Sequence, residues 1–143
     1  MMQLLEDFAE EHRLVDRVAG ALIRFAEQAA DGSPNGSDVA DFVHFFRVFV
    51  AGYHHEREEK VLIPALVNHA EVPGDRGPLA VIEGDHREAA GLVDELATRA
   101  DEVGRAADVA RRLAHHLWEH VDKEDSVLLP EAEQRLILSL IHI

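Results

Sequence analysis

Apolar residues recur with helical spacing along four long stretches of this chain, separated by three breaks rich in glycine, proline and small polar residues. The first stretch, 3–30, places Leu5, Phe8, Val15, Ala19, Leu22 and Ile23 on one stripe. The second, 38–69, follows DGSPNGSD (31–38), with Ser37 or Asp38 as the expected N-cap. The third starts at Pro78, a residue suited to a first helical turn, and reaches about residue 100 after EVPGDRGP (71–78). The fourth runs from about residue 105, after DEVGR (101–105), into the 130s. Alternating β-branched patterns are absent from the sequence. Four helices joined by short loops predict an all-α, up-down-up-down four-helix bundle.

The first two helices are echoed by the last two. Glu11-His12-Arg13 has Leu22 ten residues after its histidine, and Asp85-His86-Arg87 has Leu96 at the same offset. On the second helix His54 is followed by Glu58, Glu59, Val61, Leu62, Ile63 and Pro64. On the fourth, His120 is followed by Glu124, Asp125, Val127, Leu128, Leu129 and Pro130. Acids at +4 and +5, apolar residues at +7 to +9 and proline at +10 thus occur twice, as two stacked helical hairpins with pseudo-twofold symmetry require.

Residues four apart on a helix sit about 40° apart and one turn along, so His and Glu at that spacing aim at one point. Leu113, Leu117, Val127 and Leu128 fall within roughly 80° of His120, which puts His120 and Glu124 on the inward stripe. Asp125 lies about 140° round and is expected to face solvent, as is Glu59, so that losing either acid leaves metal content intact. His12 falls among Phe8, Val15 and Ala19; His86 falls among Leu79, Ile82, Val93 and Ala97. A carboxylate aimed into a bundle core costs several kcal/mol unless it is paired or bound to metal. Four inward imidazoles and two inward carboxylates, His12, His54, Glu58, His86, His120 and Glu124, form a ligand set for first-row metals. The alternative is a metal-free bundle whose histidines and glutamates pair with one another.

Composition narrows the chemistry. A length of 143 residues is one domain with room for a core. With no cysteine, disulfides, thiolate metal sites and cysteine nucleophiles are excluded. A formal charge of −14 repels phosphate backbones and anionic lipid, so no nucleic acid and no membrane partner is expected. No apolar run reaches spanning length and the acidic N-terminus does not resemble a signal peptide, which predicts a soluble cytoplasmic protein. A monomer or weak homo-oligomer is expected. The segment 138–143, LSLIHI, resembles the translated end of a transposon used to build sequencing libraries. The domain is therefore expected to span 1–137, with a non-native tail that removes His142 from consideration.

His12, the run HHEREEKVLIP from His54 to Pro64, His86, and the run HVDKEDSVLLP from His120 to Pro130 together resemble the hemerythrin-like (HHE cation-binding) domain signature. The resemblance covers about residues 5–135. It implies a non-haem centre of two iron ions, oxo- or hydroxo-bridged, with Glu58 and Glu124 as bridges and His12, His54, His86 and His120 as terminal ligands. Oxygen-carrying members place two histidines one turn apart on the third helix. Here the positions one turn either side of His86 are Ile82 and Ala90, so the fifth histidine is missing. The remaining set is similar to that of iron–sulfur-cluster repair proteins of the same fold, which carry a cysteine-bearing segment without counterpart here. The implied function is binding of oxygen, nitric oxide or peroxide in redox or nitrosative stress, or iron handling. A di-iron peroxide or nitric oxide reductase and an iron-responsive interaction module are the alternatives.

Some positions stay ambiguous. His55 and Glu59 form a second pair offset by one residue from His54 and Glu58, and the second helix is apolar nearly all round. The match to the fourth helix favours His54 and Glu58. His116, one turn before His120, is expected to line the site or support a ligand rather than bind metal. Asp16, one turn after His12, is placed to orient that imidazole. His44, His69, His115 and Glu56 read as surface or structural residues, and Tyr53 and Trp118 as packing residues. Cation loss is expected as pH falls through about 6 to 5, where free imidazoles protonate.

Overall fold

The computed structural model describes residues 2–30 and 36–141, all of them in helices or the short connections between helices. Among the described residues the chain forms four helices: α1 (Met2–Ala30), α2 (36–69), α3 (Gly77–Thr98) and α4 (103–141). The break at 31–35 and the tail residue His142 lie outside the described residues, and α4 continues to Ile141. No described helix is long and apolar enough to cross a membrane.

The core is two apolar layers with a polar layer between them. One layer gathers Val15, Ala19 and Leu22 of α1, Val39, Val43, Phe46 and Val50 of α2, Leu92 and Leu96 of α3, and Leu113 and Leu117 of α4. The other gathers Leu5 and Phe8, Leu62 and Leu66, Leu79 and Ile82, and Leu128 and Ala132. Residue numbers rise from the second layer to the first along α1 and α3, and in the opposite sense along α2 and α4. The helices therefore run up, down, up and down, as the spacing predicts. At the crossing level each helix turns polar residues inward, and His12, His54, His55, Glu58, His86, His120 and Glu124 are all buried.

Regular α geometry is interrupted on α2 and α4 at matching places. Glu58–Leu62 and Glu124–Leu128 are wide, π-helical turns, in which the Ile63 N–H donates to the Glu58 carbonyl and the Leu129 N–H to the Glu124 carbonyl. Pro64 and Pro130 come next and explain both turns. A proline has no N–H to donate and its ring crowds the carbonyl four residues back, which a locally widened helix accommodates. The duplicated His-to-Pro motif thus carries a duplicated distortion. One consequence departs from the sequence reading: Val127 is 52% exposed rather than on the His120 stripe, as is its counterpart Val61 at 44%, while the two residues after each are buried.

A further wide stretch, Phe46–His55, has no partner on α4, which is α-helical over Val103–Lys123. A turn closed by i→i+5 bonds holds more residues than an α turn, so positions i+4 and i+5 both lie near position i. That is why His54 and His55 both follow Phe46 and Val50 onto the buried face. Gly52 permits it: a Cβ there would sit 2.8 Å from the Arg47 carbonyl oxygen, closer than carbon and oxygen tolerate. Glycine-to-alanine changes inside ordinary helices are stabilising by about 0.5–1 kcal/mol. Gly52→Ala is expected to reverse that sign and destabilise by roughly 1–3 kcal/mol, measured by denaturant unfolding. A stabilised variant would contradict the steric role.

Candidate metal centre

All six residues predicted as ligands converge. His12, His54, Glu58 and Glu124 offer ligand atoms within 4.8 Å of one another, and so do Glu58, His86, His120 and Glu124. The two glutamates belong to both groups. Glu58 turns Oε1 to His54 Nε2 at 2.7 Å and Oε2 to His86 Nε2 at 3.1 Å. Glu124 Oε1 lies 2.8 Å from His120 Nε2 and 3.3 Å from His12 Nε2. On the other register of α2, Glu59 is 41% exposed where Glu58 is fully buried. Glu58 is therefore the inward acid, whereas the histidines do not divide that way: His55 is buried beside His54.

Both oxygens of Glu58, both of Glu124, both ring nitrogens of His86 and Nε2 of His120 are buried without a well-formed hydrogen bond. Buried polar atoms in folded proteins are almost always satisfied, and an ionised carboxylate left alone in a core costs several kcal/mol. Clustered carboxylate oxygens and imidazole nitrogens facing a common point are the donor set that iron, zinc or manganese accept. The residues present fit a metal centre.

Three of the outward nitrogens of these imidazoles are held by acids and the fourth faces one, each acid coming from another helix. Glu11, on α1, meets His54 Nδ1 at 2.7 Å, and Asp85, on α3, meets His120 Nδ1 at 3.1 Å. Asp125, on α4, meets His12 Nδ1 at 2.6 Å, and Glu59, on α2, stands 3.5 Å from His86 Nδ1. The acids are the residues just before His12 and His86 and just after Glu58 and Glu124, so α1 serves α2, α2 faces α3, α3 serves α4 and α4 serves α1. An acid on Nδ1 fixes ring orientation and leaves Nε2 for the metal. This corrects two expectations. Asp125, although 45% exposed, does not merely face solvent, and it is Asp125 rather than Asp16 that orients His12.

Further groups brace the acids. Glu11 is gripped by Arg57, whose guanidinium lies 4.0 Å from the Tyr53 ring centroid and 5.1 Å from that of Phe8. Asp85 receives Lys123 Nζ at 3.1 Å, and its carbonyl lies 2.9 Å from His116 Nε2. His116 thus contacts the backbone of the residue that partners His120. The glutamate-gripping Arg57 carries no sequence signal of its own, because its role depends on the approach of α1.

Burial disfavours a charged His12, but the carboxylates of Glu124, Glu58 and Asp125 outweigh it and push the imidazole up to about 11. Burial is likewise outweighed at His54, by Glu58 and Glu11, and at His120, by Glu124 and Asp85, so both are raised. Burial would raise Glu58, yet His12, His54 and His86 hold it well below the usual carboxylate range. At His55 burial and the neighbouring His86 act together and push the imidazole well below its ordinary value.

A bundle with two adjoining histidine-and-carboxylate clusters sharing two buried glutamates defines a cation-binding helical protein. The chain matches the family model of the hemerythrin HHE cation binding domain over residues 3–132, and it belongs to that family. No match to this chain was found among the curated proteins or among the solved structures.

Two predictions follow from the partners of the imidazoles. A histidine raised above its ordinary 6.5 stabilises the metal-free fold below that value, and the contribution is lost as pH climbs through about 11 at His12. A metal needs the deprotonated nitrogen, so cation uptake at neutral pH is expected to release protons, and affinity to rise with pH. Proton competition then begins at higher pH than the range near 6 to 5 expected of free imidazoles. An indicator dye in weak buffer reads the release, and an unchanged pH on metal addition would contradict it. Separately, Asp125→Asn and Glu11→Gln are each expected to weaken metal binding by about 10- to 100-fold. Asp16→Asn, with no hydrogen bond to His12, is expected to leave competition titrations unchanged.

Proposed function

We propose that this chain is a non-haem di-iron protein that binds a small ligand, a diatomic such as oxygen or nitric oxide, or peroxide, in redox or nitrosative stress or in iron handling. One observation carries the reading: both fully buried glutamates contact imidazoles of both clusters and, among the described residues, their oxygens make no well-formed hydrogen bond. Two carboxylates shared between two donor groups suit two cations rather than one. His12 and His54 would hold one ion and His86 and His120 the other, with Glu58 and Glu124 between them. Bound there, an iron pair supplies Lewis acidity and reversible electron transfer.

The protein's own part is orientation and exclusion of water. Glu11, Asp85 and Asp125 keep Nδ1 engaged and direct Nε2 inward, and the apolar layers above and below close the site from bulk solvent. In a dry site of low dielectric, charge on the metals and the carboxylates interacts more strongly than in water. The chain's acidic surface and lack of an apolar span suit a cytoplasmic protein acting on small ligands as a monomer or weak homo-oligomer.

Reconstitution with ferrous iron without oxygen, followed by desalting and metal analysis, is expected to give about two ions per chain, following the two ligand groups. Exposure to air, nitric oxide or peroxide is then expected to change the optical spectrum. One ion or none after reconstitution would sink the two-metal reading. Sustained turnover of peroxide or nitric oxide would favour a reductase over a binding protein.

A further inference from the structure

His55 is a buried imidazole that the two glutamate-sharing groups leave unused. Its ring stacks on that of His86, with centroids 3.7 Å apart and planes 13° apart, and meets His120 edge-on at 5.5 Å. Ligand nitrogens of His55, His86 and His120 all lie within 4.8 Å of one another. Packing alone does not ask for this: a leucine would fill the space beside Phe46 without the cost of burying a polar ring. Neither Ile82 nor Ala90, one turn either side of His86, offers a donor.

Resting on the two-metal reading, the geometry points to His55 as a fifth imidazole ligand, given by α2 to the metal position formed by His86 and His120. The wide turn that Gly52 permits is what brings His55 inward together with His54. The matching residue on α4, next after His120, is Val121, so His55 is the donor that breaks the pseudo-twofold symmetry. Counted by imidazoles alone, the position of His86 and His120 then has three donors and that of His12 and His54 has two.

Anaerobic titration of the full-length chain with cobalt(II), against a competing chelator, tests this without relying on activity. Cobalt absorption reports coordination and the competition reports each binding step. The unaltered protein is expected to bind two ions in unequal steps. His55→Ala is expected to weaken the tighter step by more than the roughly 100-fold that loss of an outer partner can cause, and to leave the weaker step unchanged. Free imidazole is expected to restore the cobalt bands of His55→Ala, whose cavity admits it, and not those of His55→Leu, whose side chain fills the space. His55→Leu also keeps the core packed, so loss of a binding step there is not a loss of fold, which circular dichroism verifies. If His55→Ala and His55→Leu both bind two ions as tightly as the unaltered protein while His54→Ala loses one, His55 is a packing residue and the two-metal centre stands. If His54→Ala also binds as the unaltered protein does, the two-metal reading itself fails and the assignment of His55 falls with it.

Discussion

Two carboxylates at the centre of the bundle set the terms for everything around them. Glu58 and Glu124 have no exposed surface, and no apolar core accepts a bare carboxylate without several kcal/mol of compensation. Apart from His55, the polar groups inside the bundle can be understood as part of that compensation. Imidazoles surround the glutamates, acids hold the imidazoles, and Arg57 and Lys123 hold two of the acids. The polarity is passed outward in steps toward water, while the inward oxygens and nitrogens left without hydrogen bonds face one another at the centre. Removing one member of such an arrangement leaves its partner buried and uncompensated, which is costlier than replacing the whole with hydrocarbon.

The helices bend their own rules to deliver those groups. Wide turns at Glu58–Leu62 and Glu124–Leu128 end one residue short of prolines and let the glutamate carbonyls take donors five residues on. The longer wide stretch at Phe46–His55 shifts the phase of α2 above the site. Its buried positions fall four and eight residues before His54, at Val50 and Phe46, whereas on α4 they fall three and seven before His120, at Leu117 and Leu113. Near-identical motifs therefore project from helices that arrive in different phase.

Much of this was legible in the sequence. Four periodic stretches and their breaks gave the bundle, and the duplicated offsets gave all six converging residues, including Glu58 over Glu59. What escaped has two physical causes. A constant 3.6 residues per turn fails where the helix widens, which misplaced Val127 and forced a choice between His54 and His55 when both point inward. Angles on a single helix also say nothing of what a neighbouring helix brings near. Asp125 lies off the inward stripe of α4, yet that direction is where α1 presents His12. A signal was present: an acid precedes His12 and His86 and follows Glu58 and Glu124, a regularity with no use for a residue facing only solvent.

The order in which acids meet imidazoles closes on itself, from α1 to α2, α3, α4 and back to α1. A hairpin of two helices contains one such contact between its own helices and leaves other members without partners. Partial assembly therefore exposes the expensive groups before it rewards them, and the last helix to dock completes two links at once. Such a circuit makes assembly of the centre and closure of the bundle a single cooperative event. The penalty for a misregistered helix is then felt across the whole fold, which favours one native arrangement over near neighbours shifted by a residue.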